Sequence, residues 1–144
     1  MIEQDTIRLL RECDAGIKMG VSAIDEVVDK AQDEALRVLL SRSKRKHEEL
    51  KKSLQAALGR FGDEGKNPPP LARAMSTAKT NMELMMKPCD DTIADLIIDG
   101  CSMGIKSLSK YLNQYAAADE SAKDVCKKLI SLEEQLARDL RGYL

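Results

Sequence analysis

The only histidine in this 144-residue sequence is His47, four residues after Ser43. On a helix that spacing puts both side chains on one face. An imidazole beside a hydroxyl can act as a general base, or as one ligand to a metal or small molecule. No carboxylate or nucleophile stands in sequence where it would complete such a site. The simpler reading is therefore a core histidine bonded to a neighbour, and no residue is assigned a catalytic role. Cysteines stand at 13, 89, 101 and 126 without any C-x-x-C pair. A reactive thiol needs exposure and a nearby cation. Lys18 and Lys106 lie five residues beyond Cys13 and Cys101, more than one helical turn. Cys13, Cys101 and Cys126 read as buried, reduced thiols of a cytoplasmic protein, with Cys89 the exposed one. His47, Ser43, Cys13 and Cys101 together form the candidate ligand-contacting set.

Other chemistries lack their residues. There is no glycine-rich phosphate loop, no Ser/His/Asp series and no zinc spacing. The net charge of −1, the single Phe and the absence of Trp give nucleic acid neither a basic field nor stacking platforms. No stretch reaches the roughly 20 apolar residues of a membrane span. Met1-Ile2-Glu3-Gln4-Asp5 is not a basic region leading into an apolar one. Neither nucleic acid nor membrane is expected as a partner. Arg42 to Lys52, RSKRKHEELKK, carries six basic and two acidic residues. It reads as a solvated helical face with pairs such as Lys44–Glu48, Arg45–Glu49 and Glu48–Lys52, contact with an acidic partner being the rival reading.

The elements that position these residues are helices. Leu10, Cys13, Ile17, Gly20, Ile24, Val27 and Ala31 recur at steps of three and four. So do Leu36, Leu40, Ser43, His47, Leu50, Leu54, Ala57 and Phe61. Asp33 offers an N-cap for the second helix, and Gly59 to Gly62 a stop. The prolines of DEGKNPPP break the pattern. Leu71, Met75, Ala78, Met82 and Met85 then make a shorter amphipathic helix, which is expected to bury its methionines, Met86 among them; an adaptable binding surface is the rival reading. It ends before Pro88. Asp90 or Asp91 is expected to cap a helix with Ile93, Ile97, Gly100, Gly104, Leu108, Tyr111 and Tyr115 on one face. Asp119 caps the last, with Ala122, Val125, Leu129, Leu132, Leu136, Leu140 and Tyr143. The expected helices are 3–30, 33–61, 71–87, 91–117 and 120–142. They form one domain over 1–144, with hairpins 3–61 and 90–144 joined by a crossover over 62–89.

The hairpins echo each other. Cys13-x-x-Gly16-Ile17-Lys18 recurs as Cys101-x-x-Gly104-Ile105-Lys106. Gly16 and Gly20, like Gly100 and Gly104, stand four apart. Each costs a helix about 1 kcal/mol relative to alanine. Close approach of the two glycine faces would offset that loss; room for a ligand is the rival reading.

Two echoing hairpins with a long crossover resemble the ferritin-like superfamily, most closely small bacterial members of unknown function. DAGIKMGVSAID, GDEGKNPPPLARAMSTAKTNMELMM and IADLIIDGCSMGIKSLSKYLNQY carry the likeness. It implies an all-α, up-down-down-up four-helix bundle with an extra short helix in the crossover, and association into a homodimer. The superfamily's di-iron chemistry needs two inward Glu and two Glu-x-x-His pairs. Lys44, not Glu, stands three residues before His47, and Glu133 and Glu134 are followed three residues on by Leu136 and Ala137. No metal and no cofactor is implied. The expected function is a non-enzymatic protein-interaction or structural module with an unknown protein partner. The alternative is a small-ligand binder or unusual enzyme using the interior near His47.

Overall fold

The computed structural model describes residues 2–144. The chain forms α1 (Ile2–Val27), α2 (Glu34–Gly59), α3 (Pro70–Met86), α4 (Asp90–Gln114) and α5 (Glu120–Leu140), with no strand among the described residues. Helices α1, α2, α4 and α5 pack side by side as a bundle, and α3 lies outside against α1 and α4.

The helix ends follow local chemistry. α1 tightens into a 3-10 turn over Val28–Lys30. The Asp33 carboxylate caps α2 by accepting from the Ala35 amide. Past α2, Gly62 takes φ +68° and the Asp63 amide closes back on the Leu58 carbonyl. That left-handed step suits glycine, which has no Cβ to clash. Pro70 opens α3, where a missing donor costs nothing. Asp119 caps α5 through the Ala122 amide. Two expectations fail here. Neither Asp90 nor Asp91 caps α4; the N-cap is Cys89, without a side-chain bond. Asp90 is drawn away because its two oxygens accept the Gln32 and Asp33 amides of the α1–α2 turn. α4 also stops three residues short of 117, because Tyr115 leaves the helical region at ψ 48°.

Two aliphatic clusters fill the bundle. One holds Ile24, Val27, Leu36, Leu40, Ile93, Ile97, Leu136 and Leu140. The other holds Leu9, Leu10, Cys13, Ile17, Leu54, Leu58, Leu108, Cys126 and Leu129. Between them, by position along each helix, fall Gly20, His47, Gly104 and Glu133. The core is thus split by one polar layer.

The crossover corrects the sequence expectation most. Of α3 only Thr80 and Leu84 are buried. Met75, Met82, Met85 and Met86 are 60–85 % exposed. The reason is how α3 is hung. Arg73 donates to Ser22 Oγ at 3.2 Å and Thr77 donates to Glu26 Oε1 at 2.6 Å. These bonds turn the threonine side of the helix toward α1. Leu84 on the same side joins the aliphatic cluster of Ile24 and Ile93, and the four long helices fill the rest, so the methionines on the far side have nothing to enter.

Candidate functional site

His47 is fully buried. Its Nδ1–H donates to the Ser43 carbonyl at 2.7 Å, the bond a helix leaves available one turn back, and Ser43 Oγ lies 3.5 Å from the same nitrogen. Its Nε2 meets Glu133 Oε1 at 2.5 Å, across from α2 to α5. Both ring nitrogens therefore face acceptors. An imidazolium opposite a carboxylate satisfies both bonds. Burial works against that charge, but the hydrogen bond and charge of Glu133, with the Ser43 carbonyl, outweigh it, and the histidine pKa stands above its usual 6.5. Burial raises the Cys101 pKa far above its usual range, and Glu133 adds to this by its charge and by accepting the S–H. Glu133 thus gathers His47 and Cys101.

The glycines make room for this pair instead of meeting each other. A Cβ at Gly20 would lie 3.2 Å from the His47 ring and 3.4 Å from Glu133 Oε1. One at Gly104 would lie 3.8 Å from Glu133 Oε2. Gly16 faces Leu108 and Leu129 at an ordinary 3.7 Å, while Gly100 is exposed and faces open space. The expected contact between the two glycine faces is therefore replaced by contact with side chains from α2, α4 and α5, and Gly100 takes no part in packing.

A second buried carboxylate, Asp14, lies under the strap that leads to α3. Its Oδ2 pairs with Lys18 at 2.7 Å and accepts the Lys66 amide at 3.0 Å; its Oδ1 has no partner among the described residues. Arg11–Asp63 at 3.0 Å and Lys66–Glu12 at 2.5 Å clasp the strap from outside. Lys18 also reaches Asn67 Oδ1 at 3.1 Å. Gly65 takes φ +95°, and a Cβ there would collide with the Asp14 carboxylate. Only glycine lets the strap lie this close.

The candidate ligand-contacting residues do not form one site. His47, Ser43 and Cys101 share the polar layer. Cys13 lies in the other cluster, fully buried, beside Cys126. A hydrogen bond between these thiols and their burial raise the Cys13 pKa far above its usual range, while the same bond lowers that of Cys126. Cys89 is exposed. In the basic run, Lys44 sits 3.9 Å from Glu48, as its spacing suggests, but reaches Asp25 of α1 more closely at 2.7 Å.

Glu133 and Asp14 were not singled out by spacing. Each nevertheless falls on an apolar stripe, Glu133 between Leu129 and Leu136 and Asp14 between Leu10 and Ile17. A carboxylate at a core position was the available signal. It could not say which partner would reach it.

These residues do not fit a di-iron centre. The polar layer offers one carboxylate and one imidazole, already bonded to each other, and glycines where α1 and α4 face them. Among the described residues no group of three or more His, Cys, Asp or Glu is placed to hold a metal ion. No described helix is long and apolar enough to cross a membrane.

No protein-family model matches the chain, and no curated protein matches it. Its fold is similar to the crystal structure of a DUF305 fragment from Deinococcus radiodurans, with a TM-score of 0.74, 13 % identity, and coverage of 96 % of this chain and 93 % of that chain. At that identity the likeness establishes a shared helical fold and nothing about activity.

Proposed function

We propose that the chain is a non-enzymatic interaction module of the ferritin-like, up-down-down-up kind, and that its working surface is the outward side of α3. One observation carries this reading. Half of the large apolar side chains exposed on the described residues belong to this single 17-residue helix: Leu71, Met75, Met82, Met85 and Met86. A contiguous apolar stripe on a soluble domain marks a contact surface. Methionine suits such a surface because its unbranched thioether adapts to a partner. The interior supports the same view. His47 has both nitrogens engaged, so a ligand there would first have to displace Glu133.

The ferritin-like arrangement is supported by the bonds at the helix ends. α4 begins against the α1–α2 turn through Asp90. It ends near the start of α1, where Thr6 Oγ1 accepts the Asp119 amide and Asp5 accepts that of Ala117. α4 then runs with α2 and against α1, and α5 returns alongside α1.

The test is native mass spectrometry of the chain purified from its own host, beside a variant with Met75, Met82 and Met85 all changed to Gln. Surface changes of this kind alter stability by only about 0.5 kcal/mol each. The wild type should carry a protein partner in fixed ratio, and the variant should lose it with its helix content unchanged. A bare wild-type monomer, or a variant that keeps the same partner, overturns the proposal. A small molecule released by His47→Gln favours the interior reading instead.

A further inference from the structure

The outward side of α3 has a self-matching pattern. Leu71, Met75, Ala78, Met82 and Met85 follow steps of 4-3-4-3, the spacing of a helix seam that packs against another helix, and exposed Cys89 follows three residues past the end of α3. At 100° per residue these positions lie opposite Arg73, Thr77, Thr80 and Leu84, which attach α3 to the bundle. The seam therefore points straight away from the protein. An isolated helix of 17 residues is marginal in water, so a cover on this side adds to its stability.

We infer that the cover is the same seam of a second copy of this chain, packed antiparallel about a two-fold axis near residues 80–81; this rests on the interaction-module reading above. Charge decides the direction. Lys79 and Glu83 stand four apart on one flank of the seam, while the other flank carries Ala74 and Asn81. An antiparallel two-fold sets the charged flank against itself in reverse order. Lys79 of each copy then meets Glu83 of the other. A parallel pair would set the charged flank against Ala74 and Asn81, which offer it no counter-charge. Lys79 is free to make this contact, since its present partner, Asp99, is 3.6 Å away and both side chains are half exposed. The symmetry also closes. A groove between α2 and α5 lies across the bundle from α3. A seam-to-groove contact would build rings or open chains, whereas seam to seam ends at two copies. In this register Met75 crosses Met85 of the second copy, and Leu71 lies beside the end of its α3 that leads to exposed Cys89.

Crosslinking tests the register. Leu71 sits at the start of α3 and Cys89 three residues past its end, so about 22 Å of helix at 1.5 Å per residue separates them within one chain. A short bismaleimide cannot join them within a copy. The other three thiols are buried. Leu71→Cys should therefore give a covalent dimer through Cys89 of the second copy, and the wild type should give none. Light scattering at high micromolar concentration should show wild-type chains at twice the 16.0 kDa chain mass. Met75→Glu with Met82→Glu should return the mass to one chain, with circular dichroism unchanged. A wild-type monomer at that concentration overturns the second copy as occupant. A dimer that survives both glutamates overturns α3 as its site, and a wild-type crosslink through Cys89 alone overturns the antiparallel direction. A monomer that still binds a different protein through Met82 separates the two ideas: the second copy fails and the interaction reading stands.

Discussion

Glu133 and Asp14 are both buried carboxylates on helices of the same bundle, yet they do opposite work. Glu133 is matched inside the core: His47 and Cys101 meet it, and Gly20 and Gly104 leave it space. It ties α5 to α2 between the two aliphatic clusters. Asp14 is matched from outside the core. Lys18 and the Lys66 amide hold one oxygen and nothing among the described residues holds the other. It ties a loop, not a helix, to α1. The bundle is thus closed upon itself, while the crossover is fastened to its surface by polar clasps and by the single buried Leu84. A segment attached that way does not need its apolar side for folding, and so can leave it outward.

The largest expected effect comes from breaking the inner tie. Glu133→Ala leaves a buried imidazole without its counter-charge and should cost about 3–5 kcal/mol in urea unfolding. Replacing both partners, His47→Leu with Glu133→Leu, should recover most of that loss, because neither charge is then buried. A double variant as weak as Glu133→Ala would mean that the pair contributes more than mutual neutralisation.

Asp14→Ala should cost less, about 1–3 kcal/mol, since it removes an acceptor from Lys18 and the Lys66 amide. Its effect should also be local. Amide exchange should quicken across residues 63–69 and α3 while the amides of α2 and α5 stay protected. Uniform loss of protection would place Asp14 in the same cooperative unit as Glu133.

Proton linkage separates the two ties again. The folded pKa of His47 lies above its ordinary 6.5, so its contribution is complete below that pH and fades as pH rises through the folded value. Wild-type stability should fall as pH is raised through this window. In Glu133→Ala, burial acts on His47 without its counter-charge, and the slope should reverse. Asp14→Ala should keep the wild-type slope. The reversed slope lies below pH 6.5 and the wild-type slope above it, so denaturant midpoints measured across pH 5–9 check all three.

The smallest effects are at the glycines. Gly100→Ala has free space around it and should gain up to about 1 kcal/mol from helix propensity. Gly20→Ala gains the same propensity but presses on the His47 ring, and should come out lower than Gly100→Ala by thermal melt. Equal shifts would mean that the polar layer yields freely.

Apolar period, N-caps and proline breaks are local properties, and they were enough to place five helices with the right ends to within a few residues. Asp33 and Asp119 cap where their neighbours in sequence say they should. The burial of Cys13, Cys101 and Cys126 was legible for the same reason, because position on a helical stripe decides it. What the tertiary structure alone decided was every pairing across the bundle. His47 stands 86 residues from Glu133, and nothing in the spacing of either says they meet. Asp90 was drawn from its cap by a turn 57 and 58 residues away. The methionine side of α3 had the period of a buried face, and period cannot tell whether a core remains to receive it. That depends on how much volume four other helices have already filled and on which polar groups catch the fifth. Both are sums over distant residues, and they are settled only when the chain has packed.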